Sequence, residues 1–545
     1  MRKKLVVASM FFLLCLLFKS PPLFGVNISS DLELRLSKSR GDEFESCLLV
    51  MRKQVNTAQL NYKLNLESAT RKERHETILK TLKSEAVSSQ SEIINYLQEK
   101  TKQGSVKKFR TFWITNSIFL VATKDEIKKI ASRNDVETIY ENYPISLVEP
   151  VLVQKSSNNQ AEKERCFSAI GVREAWSMGY NGKGRLVCSF DTGVEGDHEA
   201  LSSNWRGNNG GSVTVSWFDP YGSVFPKDKK GHGTHTMGIM CGISESDTIG
   251  VAFGAQWISA AVIDQGASLS QTISDILSAF EWATDPDGNP ETINDVPDVI
   301  SNSWGIPPGL KPACDQTFWN AMDNVENAGT VVIFAAGNEG PNPSTLRTPA
   351  DRITSPLNCF SVGAVDVNSE GYPVASFSSR GPSGCDGQTK KPEVCAPGVN
   401  ILSCYLHNEY RLMSGTSMSA PFVAGAVAIL RQYNPDATVD EIKQALLESA
   451  SDLGPPGEDN SYGMGLINIK TALEFLPKPN FPNLYLKDFF VEEGDPLQLG
   501  DHANIIVGLK NTGRDVESVF VILSTSDSLT QITKDSVYFG EIAKG

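Results

Sequence analysis

The chain has 545 residues, too many for one hydrophobic core, so two to four domains are expected. Its 40% hydrophobic and 21% charged content is ordinary for globular protein. The formal net charge of −14, with no basic cluster in the central region, argues against a nucleic-acid partner.

At the start, Arg2-Lys-Lys4 precedes an apolar run over residues 5–18, which is too short for a membrane span. The pattern predicts a secretory signal over residues 1–26 and hence export, to the extracellular side or the cell envelope. Cys15 reads as part of that run, and an uncleaved anchor is the alternative. Residues 27–150 differ in character. A Lys-, Glu-, Ser- and Gln-rich stretch over 53–104 carries Ile78, Leu79, Leu82, Ile93, Ile94 and Leu97, a spacing that suits amphipathic helices. Residues 112–122 read as a strand, Thr123 with Glu126 as a capping box for a short helix, and residues 136–140 as a strand again, making a small α+β module.

From 185 to 476, short apolar strands alternate with helical patterns. Residues 257–263, 298–303, 330–335 and 359–365 read as strands, and Ile273, Ile276, Leu277 and Phe280 fall at helical spacing. Strands alternating with crossover helices predict an α/β fold: a parallel sheet with helices on both faces. Functional groups of such sheets gather at the carboxyl ends of the strands. Asp191, Ser303 and Asn338 all follow predicted strands at that end.

Four motifs carry the chemistry. Asp191-Thr-Gly193 follows a buried strand; Gly231-His-Gly-Thr-His-Thr-Met-Gly238 opens a small-residue helix at His232; Ala335-Ala-Gly-Asn-Glu-Gly340 follows a third strand. In Gly415-Thr-Ser-Met-Ser-Ala-Pro421 a serine sits where a turn becomes a helix that is apolar or small to Leu430, so Ser417 is held at a core helix start. Taken alone, Ser417 is most simply an N-cap serine, since a hydroxyl needs a base and an orienting carboxylate to act as a nucleophile. In the chain order Asp, His, Ser, with the Asn motif between the last two, the set from about Val172 to Leu476 resembles the subtilisin family of serine proteases.

That resemblance implies a secreted serine endopeptidase in which Ser417 attacks the scissile carbonyl, His232 moves the proton, Asp191 holds the imidazole, and Asn338 donates to the oxyanion. It assigns packing roles to Thr416 and Met418, and main-chain pairing with protein or peptide substrates to Ser303, Trp304 and Gly305. It makes residues 27–150 an inhibitory propeptide, a partner of the chain's own making, with self-cleavage expected between Leu147 and Arg165, and 166–476 the peptidase domain. The stretch Asp285-Pro-Asp-Gly-Asn-Pro290, with Ser378-Ser-Arg-Gly-Pro382 and Ala396-Pro-Gly398, is most like the bacillopeptidase F subgroup. Arg347 falls near the floor of the primary specificity pocket by rough alignment. A catalytically inactive binding or adhesion protein of the same fold is the alternative, opposed by the presence of all four functional residues.

No cofactor is required on this reading, and no metal is expected at the catalytic centre. His232 and His235 lack an acidic or cysteine partner at ligand spacing. His198 and Glu199 read as surface or structural. Ala200 stands where many subtilisins have a calcium-binding aspartate, so calcium is possible but its usual site is in doubt. Apart from Cys15 and Cys47, the ten cysteines lie from Cys166 to Cys404. Export permits pairing, whereas Cys188, Cys241 and Cys395 suit small core residues. Pro477, Pro479 and Pro482 predict a stiff linker over 477–483. Beyond it, strands over 484–490, 504–510 and 519–524, with a hairpin turn at Asn511-Thr-Gly513, resemble a partial immunoglobulin-like β domain over 484–545, so a truncated chain is expected.

Overall fold

A computed structural model of the chain describes residues 26–155, 160–264, 272–310, 314–354, 357, 359–479, 484–491, 502–511, 516–525 and 531–543. The predicted signal up to residue 25 with Cys15, the linker from 480 to 483 with Pro482, and the turn after Asn511 lie outside those residues. Among the described residues no helix is long and apolar enough to cross a membrane.

Internal contacts divide the chain into two compact units. The first comprises residues 1–53, 89–109 and 118–141. Its five-stranded sheet runs in the order Asn27–Ile28, Val136–Glu141, Phe44–Met51, Ser117–Thr123, Val106–Phe112. Leu32 and Leu36, Ile93 and Leu97, and Ile127 and Ile130 bring three helical stripes onto it. The single strand expected over 112–122 is instead a hairpin, because the chain turns at Asn116, whose left-handed φ of 42° suits an asparagine. Only half of the expected capping box forms. Thr123 accepts from the Glu126 N–H, but the Glu126 carboxylate takes the Tyr96 hydroxyl instead.

The second unit comprises residues 54–88, 110–117 and 142–545. Seven parallel strands form its sheet, in the order Val394–Pro397, Phe360–Val365, Val331–Ala335, Val299–Asn302, Leu186–Asp191, Gln256–Ala261, Trp217–Phe218. Residues of both parities are buried along these strands, which is why they read as continuous apolar runs. Val187, Val299 and Ile333 join the core that holds the helices His232–Cys241 and Thr416–Tyr433. Phe190, of opposite parity, meets Phe280 of helix Thr272–Thr284 at 4.9 Å on the other face.

Two small antiparallel sheets border the carboxyl end of this sheet. Ser146–Leu147 pairs with Trp304–Gly305, and Leu152–Lys155 adds to the hairpin Ile401–Tyr405 and Glu409–Ser414. The same stretch of chain therefore enters beside one and leaves beside the other. Cys314 and Cys385 form the one disulfide among the described residues, while Cys188, Cys241 and Cys395 are unpaired core residues. Toward the end, Leu484–Val491 pairs with Ile505–Asn511, and Val516–Ile522 pairs with a strand not foreseen, Ser536–Ile542.

Candidate active site

Asp191 is the last residue of its strand, and the helix carrying His232 starts beside it. Two glycines allow this approach. Gly193 has φ 107°, and a Cβ there would lie 2.0 Å from the Lys227 carbonyl; a Cβ on Gly233 would lie 2.0 Å from the Gly193 carbonyl. His232 Nδ1–H donates to Asp191 Oδ1 at 2.8 Å, and the Thr192 N–H donates to the same oxygen at 2.7 Å. Both side chains of the pair are buried. Burial disfavours the charged imidazolium, but the carboxylate of Asp191, by charge and by hydrogen bond, outweighs it with help from Asp228 and Glu149, so the His232 pKa is raised. His232 Nε2 is buried without a hydrogen-bond partner among the described residues, leaving a free acceptor position.

Ser417 occupies the first turn of the 18-residue helix Thr416–Tyr433, which is buried from Thr416 to Arg431. Pro421 inside that helix supplies no N–H to the Ser417 carbonyl. The Ser303 hydroxyl reaches that carbonyl instead, at 3.5 Å. Asn338 is fixed by Thr416, whose N–H and hydroxyl both donate to Asn338 Oδ1 at 2.9 Å. Thr416 thus does more than pack: it aims the Asn338 NH₂ into the cleft. Gly415 leaves room for it, since a Cβ there would lie 3.1 Å from Asn338 Nδ2.

The cleft is occupied by the chain itself. Leu147 faces Trp304 and Ser146 faces Gly305 in antiparallel register, and the Val148 N–H donates to the Ser303 carbonyl at 2.8 Å. Ser417 Oγ–H donates to the Val148 carbonyl at 2.7 Å, and Asn338 Nδ2 donates to the next carbonyl, of Glu149, at 2.8 Å. Past this point the Val151 N–H donates to the Ser414 carbonyl at 2.9 Å, and the chain leaves as strand Leu152–Lys155. Val148 is fully buried, whereas the Glu149 side chain is exposed, 3.7 Å from Lys230 Nζ.

Asp191, His232, Asn338, Ser417 and the Ser303–Trp304–Gly305 segment are thus brought to one cleft. Two residues in it were not singled out by sequence reasoning or were read differently. Asp228 accepts from the Thr192 hydroxyl at 2.9 Å, the Thr234 N–H at 2.9 Å and the Thr234 hydroxyl at 2.8 Å, linking the Asp191 turn to the start of the His232 helix. Within Lys227-Asp-Lys-Lys230 it looks like a solvated charge, and no sequence signal sets it apart. Arg347 reaches the cleft segment's main chain. Its Nη1 donates to the Leu147 carbonyl at 2.8 Å, while Nε and Nη2 donate to Glu339 Oε1 at 2.8 and 2.6 Å.

His235 belongs to the fold rather than the site. Its Nε2–H is shared between the Ile401 and Arg411 carbonyls at 3.1 and 3.0 Å, and burial lowers its pKa to about 3. His198 is likewise buried, its Nδ1 accepting the Ala200 N–H at 3.1 Å. Ala200 is fully buried among apolar side chains. Among the described residues no group of three or more His, Cys, Asp or Glu side chains converges as metal ligands would.

Residues 182–465 match the profile of the peptidase S8 family, the subtilase family. The chain is 32% identical to bacillopeptidase F of Bacillus subtilis (strain 168) over 434 residues, 74% of this chain and 29% of that protein. It is 34% identical to subtilisin DY of Bacillus licheniformis over 308 residues, 56% of this chain and 96% of that one. The chain thus spans under a third of the length of bacillopeptidase F. In fold it is similar to the crystal structure of fervidolysin from Fervidobacterium pennivorans, a keratinolytic enzyme related to subtilisin, with TM-score 0.57 and 20% identity over 90% of this chain and 70% of that one.

Proposed function

Because the chain belongs to the subtilase family of serine peptidases, we propose that it is an exported endopeptidase, with proteins or peptides as substrates, that works through Asp191, His232 and Ser417. The observation that carries this reading is the chain's own strand in the cleft, with the Val148 carbonyl 2.7 Å from Ser417 Oγ. Val148 donates its N–H to Ser303 as the residue before a scissile bond would, so the bond from Val148 to Glu149 is the one presented. Residues up to Val148 act as the inhibitory propeptide.

The present hydrogen bonding is a resting one. Ser417 gives its proton to the Val148 carbonyl, and Asn338 holds the carbonyl one residue further on. When the Val148 carbonyl moves to Asn338 Nδ2, the hydroxyl is released to donate to the free His232 Nε2. Ser417 Oγ then attacks the carbonyl carbon, His232 takes the proton, and Asn338 stabilises the oxyanion. Collapse breaks the C–N bond as His232 returns the proton to the Glu149 nitrogen, leaving an acyl-enzyme that water hydrolyses by the reverse path. The burial of Leu147 and Val148 favours apolar residues at these two subsites. No cofactor enters these steps.

Expression of the wild-type chain and of Ser417→Ala tests the reading. The wild type yields a new N-terminus at Glu149 and an enzyme that hydrolyses casein and is silenced by a fluorophosphonate; Ser417→Ala keeps Val148 joined to Glu149 and is inactive. Identical processing in both chains assigns the cut to another protease and sinks self-maturation.

A further inference from the structure

Residues 54–88 precede the cleft strand by a long stretch of chain, yet they fold in the same compact unit as the catalytic domain. They supply helix Thr57–Leu66 and the beginning of helix Arg71–Lys102. Arg71, the first residue of the second helix, reaches Asp298, which stands immediately before strand Val299–Asn302. This is the amino-terminal end of the parallel sheet, the end opposite Asp191, Asn338 and Ser417.

The receptor there is built for a guanidinium. Arg71 Nη1 donates to Asp298 Oδ1 at 2.8 Å, Nη2 to the Pro297 and Val296 carbonyls at 2.8 and 3.3 Å, and Nε to the Gly329 carbonyl at 3.3 Å. The Arg71 side chain is 9% exposed. One carboxylate oxygen and three main-chain carbonyls around a planar fork suit arginine, whereas a lysine would bring three donors from a single point. The receptor is also rigid. Asp298 Oδ2 accepts the Leu186 N–H at 3.0 Å, and the main chain of Asp298 bonds to Leu186 and Val331, which ties the starts of three strands together.

Arg71 is not needed to neutralise this carboxylate. Arg431, from the helix that carries Ser417, lies 3.6 Å from the same Asp298 oxygen, and Arg185 lies 3.9 Å from it. Withdrawal of Arg71 therefore leaves Asp298 paired, so occupancy of the socket is separable from the folding of the domain around it. Resting on the cleavage reading above, we propose that this socket is a second docking site, specific for an arginine at a helix start and filled by Arg71, which keeps the residues before Val148 on the catalytic domain after the cleft bond is cut. Attachment at two opposite ends of the sheet makes release slow, because one contact holds the segment at high local concentration while the other opens.

The test uses the full chain with Ser417→Ala and with a site-specific endopeptidase sequence in place of residues 156–159, cut by that endopeptidase after folding. With Arg71 present the two pieces co-elute in gel filtration. Arg71→Ala removes the hydrogen bonds of a charged donor and weakens their association about tenfold or more, Arg71→Lys recovers only part of that loss, and millimolar methylguanidinium restores retention of the alanine variant alone. Equal dissociation constants for the chain with Arg71 and for Arg71→Ala at the same salt concentration, or pieces that separate with Arg71 in place, overturn the socket. Full recovery by Arg71→Lys, or no response of the alanine variant to methylguanidinium, overturns its specificity for a guanidinium. Since the added endopeptidase makes the cut, these outcomes are independent of self-cleavage at Val148, which N-terminal sequencing tests separately.

Discussion

The field at His232 has more than one source, and Asp228, on the same domain, can be altered without touching the triad. On the proposed mechanism His232 takes the Ser417 proton only when neutral, so activity should be lost as pH falls through its pKa, which lies above the ordinary 6.5. Asp228→Asn removes a negative charge that raises this value, so the acid limb of kcat/KM moves to lower pH; the asparagine NH₂ cannot accept the Lys230 or Thr234 N–H that the replaced oxygen took, so some stability is lost as well. A pH–rate profile checks the sign; an unmoved limb means that Asp228 only braces the loop. Asn338→Ala should lower kcat by about 10²–10³, the loss found for the equivalent donor of a subtilisin. Arg347→Ala removes the charged donor to the Leu147 carbonyl; if a substrate takes the place of this strand, peptide kinetics should show KM rising about tenfold or more with a smaller change in kcat.

At the scale of elements, the site depends on how closely the His232 helix lies against the Asp191 turn. Gly233 decides that spacing, because a Cβ there meets the Gly193 carbonyl at 2.0 Å and the Asp191 Cβ at 3.1 Å. Gly233→Ala must push helix and turn apart and lengthen the His232–Asp191 bond. The expected result is a fall in kcat of at least tenfold with a loss of about 1–3 kcal/mol in stability, measured by casein hydrolysis and by urea unfolding of the inactive Ser417→Ala form. The Ser417 helix shows the opposite arrangement: Pro421 deprives it of a backbone bond near Ser417, and the Ser303 hydroxyl reaches the buried carbonyl left without it.

For the molecule as a whole, the buried His235 makes acid a specific hazard. Its folded pKa of about 3 lies below the ordinary 6.5, so the unfolded chain binds a proton that the folded chain refuses. Stability from this residue is intact above pH 6.5 and declines as pH falls toward 3. His235→Gln should therefore show a shallower fall of unfolding free energy between those limits, whatever its stability at neutral pH; an unchanged slope would assign acid sensitivity to other groups. The buried methyl of Ala200 cannot replace a carboxylate, so a chelator should lower the melting temperature less than it does in subtilisins with an aspartate there. A large, calcium-reversible drop would place the ion on other loops.

The motifs around Asp191, His232, Asn338 and Ser417 were legible because each is a short local pattern: a glycine turn at a strand end or a helix start, with a chemically distinctive residue fixed within it. The parallel sheet was legible for a similar reason, since strands buried on both faces read as mostly apolar or small runs on both parities. Neither pattern carries information about partners far away in the chain. That Val148 presents its carbonyl to Ser417, that Asp228 supports the His232 helix, and that Arg347 holds the Leu147 carbonyl all depend on where the folded chain brings segments separated by many residues. The Arg71 socket is the extreme case, a helix-start arginine that reads as one more solvated charge until Asp298 and three main-chain carbonyls, groups with no sequence signature, close around it.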